Sequence, residues 1–116
     1  MAVESTVANK DMALIEDRYV IPDHTEIRRM LADRPDVRAA LLEAPAVIRD
    51  TFGSRVQGLV LEVVPDYDEG EDLLGATALV RGTAREVFDL VQEFDKWWVT
   101  KSPAVHMALT IGAVPV

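Results

Sequence analysis

The chain has 116 residues, with 20 acidic against 12 basic side chains, a net charge of −8 and no cysteine. That length predicts one domain with a core large enough to fold without cross-links. The missing cysteine excludes disulfide scaffolds, thiolate metal sites and thiol nucleophiles, and the acidic balance argues against nucleic acid and anionic membranes as partners.

Met1-Ala2-Val3-Glu4-Ser5 lacks the basic and apolar regions of a signal peptide. No apolar run approaches the ~18 residues of a membrane span. A cytoplasmic protein is expected. Residues 1–18 carry Val3, Val7, Leu14 and Ile15 at loose helical spacing without a strong cap. They read as a weak helix or a mobile tail, ahead of a single α+β domain over 19–116.

Tyr19-Val20-Ile21 is a short extended piece stopped by Pro22. Asp23 and Glu26 match a capping box, with Glu26 reaching back to the cap. The helix they open buries Ile27, Met30 and Leu31. Pro35 suits the first turn of the next helix, which carries Val37, Leu41 and Leu42. Pro45 should interrupt it, because a proline pushes the residue before it out of the α region. A third short helix with Val47, Ile48 and Phe52 then ends at Gly53. Pro22 to Gly53 is therefore expected to hold two or three short helices.

Residues 55–64 and 73–81 read as the strands of an antiparallel hairpin. Leu59, Leu61 and Val63 alternate with Val60, Glu62 and Val64; Leu74, Ala76, Ala78 and Val80 share one face of the second strand. Gly75 marks a bulge or a close approach. Thr83 and Glu86 form a second capping box, opening a helix over 84–98 whose apolar stripe is Val87, Phe88, Val91, Phe94 and Trp98. That helix should cover the hairpin, which is not stable alone. Residues 104–111 read as a third strand, with Val105, Met107, Leu109 and Ile111 on one face, or as a segment that pairs with another chain. The fold class is α+β.

Few residues invite chemistry. Asp66, Asp68, Glu69, Glu71 and Asp72 make an acidic turn, but Gly70 and Thr77 miss the positions of a calcium loop, so a solvated turn is expected. His24 and His106 are isolated from each other; His24 reads as a surface or capping residue and His106 as outward-facing. No nucleophile elbow, phosphate loop or dinucleotide fingerprint is present. The 23–52 helices supply too few basic residues for a DNA-reading helix. The sequence thus points to no catalytic residue, metal ligand or cofactor. Trp97, at the edge of its helix, and Val105, Met107, Leu109 and Ile111 are the candidate contacts to a protein partner or a second copy.

Glu43-Ala44-Pro45, Ile48, Phe52-Gly53, the hairpin with its acidic turn, and Phe94-Asp95 before Trp97-Trp98 give one resemblance. From Thr25 to Trp98 the chain resembles small bacterial proteins of unassigned function. The resemblance implies action with another small protein, as in toxin–antitoxin pairs, and no catalytic residue. The expected function is a non-enzymatic interaction or regulatory protein, steered by charge towards a basic partner. The alternative is a ligand-binding protein or enzyme with a pocket between sheet and helices.

Overall fold

A computed structural model describes residues 2–65 and 71–116. Helix α1 (Ala2–Arg18) is followed by α2 (His24–Leu31) and α3 (Pro35–Phe52). A 3-10 turn, Gly53–Arg55, leads into β1 (Val56–Val64). Then come β2 (Leu73–Val80), α4 (Ala84–Trp98), α5 (Pro103–Ala108) and β3 (Leu109–Pro115). The fold is α+β, as the residue pattern predicts.

The sheet order is β1-β2-β3. β1 and β2 pair antiparallel in the register Leu59↔Ala78, Leu61↔Ala76, Val63↔Leu74, with the irregularity at Val56/Gly58 rather than at Gly75. Gly75 is instead a close approach, since a Cβ there would stand 2.7 Å from Val64 Cγ2. β3 lies parallel to β2, Leu109 beside Leu74 and Ile111 beside Ala76. On the far side of β1, Val20 adds one bridge: its amide donates to Leu59 O at 2.7 Å, and the Leu61 amide donates to Val20 O at 2.9 Å.

The C-terminal third strand is present, but it starts and ends later than its sequence reading. Residues 103–108 are helical and the strand runs over 109–115. Ser102 Oγ accepts from the Val105 amide and Pro103 takes the first helical turn. Cap plus proline opens a helix there rather than only closing the one before. The α4 capping box is complete: Thr83 N donates to Glu86 Oε1 at 3.0 Å and Glu86 N to Thr83 Oγ1 at 3.1 Å. At α2 only half a box forms. Asp23 accepts from Glu26 N, but the Glu26 carboxylate turns to the Arg29 guanidinium instead of the cap.

Pro45 does not interrupt α3, contrary to expectation, and Ala44 is helical. A mid-helix proline lacks the amide that would bond the carbonyl four residues back, here Leu41 O. Tyr19 Oη donates to that carbonyl at 2.7 Å in the core. Burial pushes the Tyr19 phenol well above its usual range, so it stays a donor. A hydroxyl from the end of α1 thus replaces the bond that Pro45 lacks.

Arg38 fastens the helices further. It is buried, donates through Nε to Asp11 Oδ2 of α1 at 3.1 Å, and through Nη1 to Leu31 O and Ala32 O at 2.6 and 2.9 Å. Those carbonyls end α2, where a helix leaves acceptors unpaired and favours cations. The core gathers Ile15, Ile27, Leu31, Leu41, Ile48, Leu61, Val80, Phe94 and Leu109, all under 3% exposed.

Tyr19→Phe is expected to cost about 1–3 kcal/mol, the penalty of an unsatisfied buried acceptor, read by urea denaturation. In a Pro45→Ala background the restored amide takes Leu41 O, so the same change should cost measurably less. An equal cost in both backgrounds would refute the replacement. A second expectation concerns acid. The Thr83 amide first, then Arg55, holds the Glu86 carboxyl below its usual range. Its folded pKa is below the unfolded one, so its stabilisation is full above the unfolded value of about 4.3 and disappears as pH falls through the folded one. Glu86→Gln should be less stable than the parent at neutral pH, and the two melting curves should converge towards about pH 2.

Candidate interaction surface

Strand alternation sends half of each strand's side chains away from the helices. Leu59, Leu61, Leu74, Ala76, Ala78, Val80, Leu109 and Ile111 are buried. Their alternates, Val60, Glu62, Val64, Leu73, Thr77, Leu79, Thr110, Gly112 and Val114, are half-buried or exposed, and only Gly75 among the alternates is buried, beneath Val64. Val20 extends this face past β1 and is 64% exposed; Val114 on β3 is 42% exposed. A sheet with one wetted face ordinarily alternates apolar-in with polar-out. Here the outer positions are mostly valine, leucine and threonine, and Glu62 is the one ionised side chain among the residues just named.

The helices pack over the other face. α3 contacts α1, α2, α4, α5 and β1, while α4 contacts α3 and β3. In α4, Val87 and Phe94 are buried and Trp97 and Trp98 half-buried, but Phe88 is 58% exposed and does not belong to the inward stripe. Successive helical residues are turned by about 100°, so Phe88 stands well off the Val87–Phe94 line.

The candidate partner contacts separate on folding. Val105, Leu109 and Ile111 are buried within the protomer, whereas Met107 is 77% exposed. The alternation expected for these four holds only within β3, because Val105 and Met107 lie on α5. Trp97 is engaged inside the chain. Its ring packs on Phe94 and Trp98 at 5.4 and 6.0 Å, and Lys101 Nζ sits 4.6 Å over it while donating to Glu43 Oε2 of α3 at 2.9 Å. The open face was missed in the sequence, although the signal was there: Val60, Val64, Leu73 and Leu79 are apolar on the side of the hairpin opposite its core positions.

The histidines have separate, local roles. His24 Nδ1 lies 3.3 Å from Glu16 Oε2, and Arg28 Nη2 makes an ion contact with Glu16 Oε1 at 2.6 Å. His106 stacks on Trp98 at 4.7 Å, with Nε2 2.8 Å from Trp98 O. Among the described residues no three His, Asp or Glu side chains gather as a metal site, and no helix is long and apolar enough to cross a membrane. Asp66, Asp68 and Glu69 of the acidic turn, with Gly70, lie outside the described residues.

A cleft of about 550 Å³ opens between α2, α5 and the start of β2, lined by Met30, Arg34, Val37, Leu74 and Met107. Its guanidinium is committed. Arg34 donates to both Asp36 oxygens and to Ala104 O, each at 3.2 Å. The Arg34 hydrogen bonds, aided by the Val37 amide, hold the Asp36 carboxyl below its usual range. The pair ties α3 to α5 and, among the described residues, leaves no unpaired cation in the cleft lining.

Comparison of the chain with protein-family models, curated proteins and solved structures found no match.

A one-sided sheet predicts unequal responses to substitution. Leu61→Ala removes a fully buried side chain and should cost about 2–5 kcal/mol. Leu79→Gln, on the open face, should stay within about 1 kcal/mol of the parent in the same denaturant titration. Similar losses at both sites would mean that the second face is also covered within the protomer.

Proposed function

We propose that the protein is a non-enzymatic interaction protein that docks a basic partner protein on the open face of its sheet. The observation that carries this reading is the run of Val20, Val60, Leu79 and Val114 across that face, where polar residues belong if water is the only neighbour. Glu62 offers one charge for a partner's lysine or arginine, and the net charge of −8 favours encounter with a basic surface. Against an active site, each histidine and the cleft arginine are engaged by neighbours within the chain.

Immobilised protein and a Leu79→Glu variant provide the test, with Gln92→Glu on exposed α4 as a control of equal charge change. Retained proteins are identified by mass spectrometry. A basic protein held by the parent and the control, and reduced at least tenfold on Leu79→Glu, is the expected outcome. Equal retention on all three, or none on any, would overturn the reading.

A further inference from the structure

The hydrogen-bond parity of β3 identifies which backbone groups its outer edge presents. The Val116 amide donates to Val80 O at 2.9 Å, so Val116 faces β2. Polar groups of successive strand residues point to opposite sides. Thr110, Gly112 and Val114 therefore also bond towards β2, while Leu109, Ile111, Ala113 and Pro115 turn their amides and carbonyls outward. β3 is an edge strand, and β1 is on the opposite side of β2. Of the four outward residues, two cannot donate. The Leu109 amide is bonded to Val105 O, and Pro115 has no amide. Among the described residues the open edge is thus a pair of donors, Ile111 and Ala113, placed symmetrically about Gly112.

Edge strands are ordinarily guarded by lysine, inward charge or a bulge. β3 has none of these in Leu109–Pro115, and its one proline stands at the end. From Ser102 onward no side chain is ionised other than His106 when protonated, although the chain carries 32 charged side chains. No ionised side chain of this strand itself therefore adds to the repulsion between two acidic copies.

The helix beside the edge adds a second feature. Trp97 of α4 is on the α3 side, as its Lys101 contact and the Lys101–Glu43 bond show. Phe88 precedes Trp97 by nine residues, about 180° round the helix, and so faces away from α3. Since α4 is flanked by α3 and packs on β3, that direction is the free-edge side. Val99, three turns on from Phe88, lies on the same flank and is 69% exposed. The flank thus carries two large exposed apolar side chains, with Gln92 and Asp95 between them, next to an unguarded strand.

We infer that a second copy of this chain occupies this edge, β3 pairing antiparallel with β3′ about a two-fold axis at Gly112. Ile111 and Ala113′ exchange amide–carbonyl bonds, as do Ala113 and Ile111′, and Thr110 meets Val114′ on the open face. Leu109 and Pro115 bound the ladder at both ends. Both helical layers lie on one side of the joined sheet, and the Phe88–Val99 flanks of α4 and α4′ meet across the axis. The self-complementary donor pattern favours a copy of the chain over a foreign strand, whose further amides and carbonyls would find no partner beyond Leu109 and Pro115. The inference goes beyond the open-face reading and uses the strand edge, which borders that face at Thr110 and Val114.

Sedimentation velocity of the full chain from about 1 to about 500 µM covers the affinity expected for an interface near the lower size limit. The parent should shift from monomer to dimer across this range. Ala113→Pro deletes an outward amide that the protomer does not use, and Phe88→Glu puts a charge into the apolar α4 flank of each copy. Each should weaken the dimer at least tenfold while circular dichroism and melting temperature remain near those of the parent. Gly112→Ala, kept as a folded control at the open-face position, should still dimerise. A parent that is monomeric throughout, or a dimer that survives both Ala113→Pro and Phe88→Glu, would overturn the inference. If the parent is monomeric but loses the basic protein on Leu79→Glu, self-pairing fails while the docking role stands.

Discussion

Helix α3 touches every other helix and the first strand, and it can do so only because the chain does not break at Pro45. A proline at that position leaves Leu41 O without its amide, in a core where an unpaired carbonyl is costly. Tyr19 supplies the missing donor from the turn after α1. The residue that mends α3 also precedes Val20, which bridges β1. One short segment therefore holds the central helix and the sheet edge together. Arg38 does the complementary work at the other end, joining α1, the end of α2 and α3 through one buried guanidinium.

This arrangement leaves the sheet unequal on its two faces. With α3 in the middle, α1 beside it and α4 towards β3, the helical layer is complete on one side. The short links, β2 to α4 and α5 to β3, keep the crossover on that side too. Among the described residues the opposite face is lined by its own strand residues and Val20, which are valine, leucine and threonine at many positions. Apolar positions without a covering layer are weakly justified by the protomer's stability, and they make sense as contact area. The unguarded edge of β3 is continuous with this face through Val114 and Thr110.

The candidate contacts show where residue patterns were sufficient and where they failed. Met107 reaches the surface, but Val105, Leu109 and Ile111 became core once β3 entered the sheet. Of the two readings of this run, a third strand or a segment for another chain, Leu109 and Ile111 take the first, pairing with β2, while Val105 packs from α5. Trp97 is occupied by Lys101 and Phe94, an arrangement that depends on α3 bringing Glu43 to Lys101. Phe88 fits the apolar stripe of α4 by its three-residue step to Val91, yet it is exposed. Only the position of α3 shows which flank of that helix remains outside.

The sequence by itself determined the elements that rest on local chemistry. The hairpin strands, the complete Thr83–Glu86 box and α4 over 84–98 follow from alternation, capping and helical periodicity, which act over a few residues. Tertiary structure decided what depends on distant partners. Pro45 became helical because a hydroxyl 26 residues earlier in the chain reached Leu41 O. β3 took the outer side of β2, parallel to it, through pairing with a strand about 35 residues earlier in the chain. Which sheet face stays bare, and which donors β3 leaves free, are likewise set by long-range packing, because a strand's pattern reveals its two faces but not which neighbour covers them.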